Sequence, residues 1–206
     1  MQFQIDDLSY PNSKFIFILE SPHYHELEVG YPAAGDTGMN MSRVLFKLEK
    51  PLGELIRNRI ELPVQLSLLN CSRIPLQKSC YNEIQLTADL VNFLIIQEIY
   101  DPSIQIQKTR IKEKLRSETG LKAVNSFKAR LLASLAVSKD AKLVVCGVIA
   151  QCFFEEVTQL RCRFRSPENI SWSGLSFSVF YEYHPSSKLG RWDDRSEMNA
   201  LLTYVS

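Results

Sequence analysis

Four short apolar runs, each ending in a polar cluster and followed by a stretch of helical periodicity, constrain what this 206-residue chain can fold into. The runs are Phe15–Leu19, Val64–Leu69, Lys142–Cys146 and Phe177–Tyr183. Their length and their β-branched and aromatic content suit strands buried on both faces. Helical spacing follows in Met39–Glu49, Ile84–Ile99, Val124–Val137, Val148–Leu160 and Arg195–Tyr204. Strands alternating with helices predict an α/β fold: a three-layer α/β/α sandwich around a central, mostly parallel four-stranded sheet. A length of 206 residues suits one such domain spanning the whole chain.

In sheets of this kind ligands bind beyond the carboxyl ends of the strands. Those ends read Glu20-Ser21-Pro22-His23, Asn70-Cys71-Ser72-Arg73, Gly147, and His184-Pro185-Ser186-Ser187. The chain has only three histidines, His23, His25 and His184, and all fall at two of these ends. Glu20 and Glu26 flank the first pair. Pro22 stops the ladder and turns the chain. The loop Gly30–Gly38 then leads into a helix, and its glycines would let backbone N–H groups approach a ligand closely. Asn70 can donate and accept together, which suits reading a nucleobase edge. Each cluster alone also fits a plain structural role: a tight turn, an Asx turn closing a strand, a satisfied histidine.

Composition narrows the setting. No apolar run reaches the ~20 residues that span a bilayer, and the polar, acidic start is no export signal. A cytoplasmic protein is expected, without membrane association and as a monomer. The five cysteines form no CxxC pair, so reduced thiols are expected rather than disulfides. With 24 basic and 23 acidic residues, the net charge of +1 argues against a long electrostatic wrap of duplex DNA. Two stretches are locally basic: Asp101–Thr119, with Lys108, Arg110, Lys112, Lys114 and Arg116, and the alternating Arg161, Arg163 and Arg165. Both are expected as solvated surface, the alternative for the first being a phosphate-contacting insertion.

Taken in order, the clusters resemble the uracil-DNA glycosylase superfamily. Its first motif, GxxPGxxE, stands here as ESPHYHE; its GxPFxG loop as GYPAAGDTG; its strand-end Asn within LLN; and its late HPS motif as HPSSKL. The resemblance runs from about Phe15 to Arg191 and is specific only in these motifs. It implies a DNA partner and a water-positioning carboxylate at Glu26, with Glu20 in reserve. It implies base contacts from Asn70, Ser21, Pro22, His23 and Ala33, and His184 as the group that stabilises the departing base. DNA contacts would come from Gly35, Gly38, Ser186, Ser187, Lys188 and Arg191, with Leu189 near the wedge that fills the vacated stack. Lys188 is the only lysine within these motifs, so a monofunctional glycosylase without a Schiff base is implied.

The departures matter. Ala33 stands where the family carries an aromatic that stacks on the flipped base. A small residue there would open volume for a modified or bulky pyrimidine rather than plain uracil, in repair or in defence against foreign modified DNA. His23 replaces the glycine after the first proline. The iron–sulfur branch's N-terminal cysteine pair is absent, so neither a cluster nor any other cofactor or metal is expected. Two other readings remain: a metal-dependent hydrolase using His23, His25 and His184, with Glu26 beside them, and a non-catalytic reader of modified DNA on the same fold.

Overall fold

The structure is a computed structural model that describes residues 4–60, 62–82, 85–186, 192 and 194–206. Its centre is β1 (Phe15–Leu19), FIFIL, buried at every position. β2 (Leu66–Asn70) and β3 (Lys142–Cys146) flank it in parallel, and β5 (Leu175–Glu182) continues the parallel set beyond β3. β4 (Glu168–Trp172) adds an antiparallel edge, giving the order β2-β1-β3-β5-β4. The three-layer α/β architecture agrees with the expectation, but the sheet has five strands rather than four. β4 reads ENISW and alternates between half-buried and exposed positions. One face of an antiparallel edge strand meets water, so it carries no continuous apolar run.

Alternate residues of the central strands feed two cores. Ile16, Ile18, Leu143, Val145, Val179 and Tyr181 join one cluster with α4 (Ala88–Leu94), α5 (Ile104–Leu115), α6 (Glu118–Val137) and α7 (Val148–Thr158). Phe15, Phe17, Leu19, Val144 and Phe180 join the other with α2 (Asp36–Phe46), α3 (Leu52–Arg57) and α8 (Asn199–Val205). The period of two along each strand thus sends apolar surface into both helical layers. Local chemistry sets the helix starts. Thr87 accepts from the Leu90 amide, and Ser117 from the Gly120 amide, as N-cap residues do.

Other boundaries differ from the sequence reading. Ile84–Ile99 is not one helix: α4 ends at Leu94 and passes into a 3-10 turn over Ile95–Glu98. The basic stretch after Asp101 is a full helix, α5, that buries Ile111 and Leu115. A short α1 (Tyr24–Val29) and α3 were not foreseen. The segment before β1 covers the open edge of β2 through an antiparallel bridge, Leu8 to Leu68. Among the described residues no helix is long and apolar enough to cross a membrane.

Candidate active site

The four parallel strands end at one level: Leu19 pairs with Asn70, Ile18 with Val145, and Cys146 with Glu182. Residues just past that level form a single edge, and there the first, second and fourth predicted clusters meet. Cys71 and Ser72 bond through their amides to the carbonyls of Leu19 and Glu20, carrying the β1–β2 pairing beyond the strands.

Glu20 leaves β1 half-buried and lies against Gly147, the N-cap of α7. A Cβ built on Gly147 would stand 2.3 Å from Glu20 Oε1 and 3.1 Å from His184 Cβ, so one point touches both groups. The Ile149 amide, in the first turn of α7, donates to Glu20 Oε1 at 3.4 Å. Burial pushes the Glu20 carboxyl up from 4.5 to about 7, and the Ile149 hydrogen bond opposes it.

His184 Nδ1 accepts from the Ser186 amide at 3.2 Å and lies 2.8 Å from the Ser186 hydroxyl. A backbone amide can only donate, so Nδ1 carries the lone pair and the neutral ring bears its proton on Nε2. Desolvation holds the imidazole down at about 3, helped by repulsion from His23. His184 is therefore a neutral donor across the physiological range. Asn40 of α2 fixes the turn below it, donating from Nδ2 to the Pro185 carbonyl at 2.8 Å.

Asn70 is 2% exposed, and among the described residues neither its Oδ1 nor its Nδ2 has a hydrogen-bond partner. A buried, unsatisfied amide costs about 1–3 kcal/mol and calls for a reason. Its backbone is well held: the Asn70 amide donates to Asp7 Oδ1 at 3.1 Å, and Asp7 pairs with Arg130 at 2.6 Å. Arg130 in turn donates to the Cys71 carbonyl at 2.9 Å.

Glu26 takes a different part from the one expected. It is 4% exposed, and its Oε2 accepts from the His23 amide at 2.7 Å while Oε1 accepts from the Ala33 amide. Both oxygens are thus committed to backbone, tying the start of α1 to the following loop. The loop is itself clamped. A Cβ on Gly38 would fall 1.8 Å from the Ala33 carbonyl oxygen, and one on Gly53 would fall 2.0 Å from that of Pro32. Gly38 therefore serves close packing of α2 against this loop. Gly35 is half-buried, with its Cβ position 3.7 Å from the His25 ring. Ala33 has 0% exposure and a left-handed backbone, φ 54°, inside the second core. It lines no open volume, so its small size lends no room to a base site.

Ser21 and Pro22 are buried, and Ser21 Oγ accepts from the Leu76 amide at 3.3 Å. His23 is half-buried close enough to act electrostatically on both Glu26 and His184. His25 lies in α1, exposed, 3.5 Å from Glu28. His23 is the N-cap of α1, and among the described residues no set of three or more His, Cys, Asp or Glu side chains could hold a metal ion. Ser186 is exposed at the rim, while Ser187, Lys188, Leu189 and Arg191 lie outside the described residues.

Two cations of α5 turn inward. Lys108 and Lys112 both bind the buried Glu155, at 2.7 and 2.8 Å. Arg110 pairs with Asp101, Arg116 with Glu156, and Lys114 bonds Asn92. Arg165 reaches the fully buried Glu182 at 3.4 Å, and Arg163 pairs with Glu168.

Asp7 and Asn40 escaped sequence reasoning, and Gly147 was marked as a strand end but given no role. Gly147 carried a signal, a lone glycine between an apolar strand and a helix; Asp7 and Asn40 carried none, because their partners are distant in sequence. A search against models of known protein families and one of curated proteins find no match to this chain.

Proposed function

We propose that this protein is a monofunctional DNA glycosylase that hydrolyses an N-glycosidic bond and leaves an abasic site. One observation carries the reading: a buried amide without a protein partner, on Asn70, shares a strand-end edge with a carboxyl poised near neutrality and a neutral imidazole donor. An unsatisfied amide offers one donor and one acceptor side by side, the complement of a nucleobase edge. Flipping a base into that edge would satisfy it.

Glu20, rather than Glu26, is then the carboxylate that positions water and stabilises positive charge on the sugar as the bond breaks. A titration near 7 suits a group that must accept a proton at ordinary pH. His184 Nε2–H stabilises the negative charge that gathers on the departing base; a neutral donor does this without first losing its own charge. Ser186 keeps the ring in that tautomer. Ser21, Pro22 and His23 form the buried turn that sets Glu20, and DNA is gripped along the rim that begins at Ser186. The leaving base is a pyrimidine, and a modified one remains within the proposal, without the support that Ala33 was expected to lend.

The test is base release from oligonucleotides carrying uracil, thymine, hydroxymethyl-pyrimidines or glucosylated cytosine, single- and double-stranded, with chelator present. Release that is lost in Glu20→Gln and Asn70→Ala and retained in His25→Ala is the expected result. Release that persists in Glu20→Gln, or that chelator abolishes, overturns the assignment. Tight DNA binding without release from any substrate favours the reader.

A further inference from the structure

We propose that Gly147 is a positioning residue of this site: the side chain it lacks leaves the seat in which the amino end of α7 holds the Glu20 carboxylate against His184. The inference rests on the proposed function for its catalytic meaning, but the seat itself is a matter of geometry.

Two independent constraints meet at Gly147. Its backbone, φ 93° and ψ 159°, lies where residues with a Cβ are strained. The space beside it is also taken, since a Cβ would meet Glu20 Oε1 at 2.3 Å, Glu20 Cδ at 3.0 Å and His184 Cβ at 3.1 Å. The backbone cannot swing aside. Its N–H donates to the Glu182 carbonyl at 2.9 Å, and its carbonyl accepts from the Gln151 amide at 3.0 Å. A side chain here would therefore move the carboxylate rather than the main chain.

Gly147 is the N-cap of an eleven-residue helix, so the seat has a polar floor: the Ile149 amide and the positive end of α7. Its wall is His184 beyond β5, and the thiols of Cys71 just past β2 and Cys146 at the end of β3 lie near enough to feel the Glu20 charge. One backbone donor steadies the carboxylate without an ion pair. That balance keeps it basic enough to take a proton, yet fixed in direction.

The experiment follows the Glu20 side-chain carboxyl by carbon-13 NMR against pH in the full chain, its resonance assigned by its loss in Glu20→Gln. Gly147→Ala adds one methyl at the seat. Gly174→Ala is the control: that glycine also has a positive φ, 77°, but nothing within 4 Å of its Cβ position. Wild type and Gly174→Ala should titrate near 7, and Gly147→Ala should fall toward the ordinary range as the group moves into water. Ile149→Pro removes the floor donor without breaking a hydrogen bond of the helix, and should move the midpoint upward. Base release by Gly147→Ala should drop about 100-fold, as a misplacement near 1 Å does, with its acid limb shifted in the same direction as the midpoint. A loss of fold alone would lower the rate and leave that limb in place.

Identical Glu20 midpoints in wild type and a folded Gly147→Ala overturn the proposal. Should Gly147→Ala not fold, an unmoved midpoint in Ile149→Pro overturns it. If wild type releases no base from any DNA, the glycosylase reading falls, and the midpoints still decide for or against the seat.

Discussion

Glu20 should make the fold less stable as pH rises, and replacing it with glutamine should remove that dependence. The folded carboxyl titrates at about 7 against an ordinary 4.5. Between those values the folded chain holds a proton that the unfolded chain has released. Unfolding therefore releases a proton, and stability falls with rising pH. The stabilising contribution is full below about 4.5 and gone above about 7. A displacement of this size corresponds to at most about 3 kcal/mol, since water reaches part of the side chain. Gln resembles the protonated acid and can still accept from the Ile149 amide, so Glu20→Gln should match wild type near pH 5 and exceed it by ~2–3 kcal/mol near pH 8.5. Urea denaturation of both proteins at the two pH values measures this, and taking the difference cancels every other titrating group. A gap that stays constant with pH would show that Glu20 is not held in a desolvated seat, and the assignment of its role would go with it.

Four further outcomes follow. Asn70→Leu should raise stability by about 1 kcal/mol in denaturant titration, because it removes an unpartnered buried amide, while abolishing base release. Ala33→Phe should cost at least ~2 kcal/mol, since a ring must fit a fully buried, left-handed position in a packed core; wild-type stability with a narrowed choice of base would return Ala33 to the pocket. Asp7→Ala leaves Arg130 without its buried partner and should cost about 3 kcal/mol by the same denaturation measurement. Rates of base release should climb through an acid limb near 7 as Glu20 ionises, with no second limb from His184, whose ring is already neutral there; a pH–rate profile under single turnover reads both.

Much of the architecture was legible because it rests on local, one-dimensional signals. β1 and β3 are continuous apolar runs and appear with the expected bounds. β4 was hidden because an edge strand that wets one face needs no such run. Lys108 and Lys112 looked like surface because sequence cannot show that a buried Glu155 waits 47 positions from Lys108. The strand-end clusters were identifiable from the rule that places ligands at that edge. Their internal division of labour was not. Glu20 and Glu26 differ only in what surrounds them: backbone amides hold both oxygens of Glu26, while a glycine between β3 and α7 makes room for Glu20. Likewise the size of Ala33 suggested an opening, but size says nothing about which side of a loop a methyl group faces.

The inward commitment of Lys108 and Lys112 has a consequence for how such a protein would meet DNA. Each phosphate neutralised by a free cation adds about 0.9 to the slope of log affinity against log salt. With Lys108 and Lys112 spent on Glu155, that helix has fewer cations with which to displace counterions. On the proposed reading the footprint is a few phosphates at the rim, and affinity should depend only shallowly on ionic strength. Undamaged duplex would then be released quickly, and discrimination would arise where a base is drawn out against Asn70 rather than from long-range attraction.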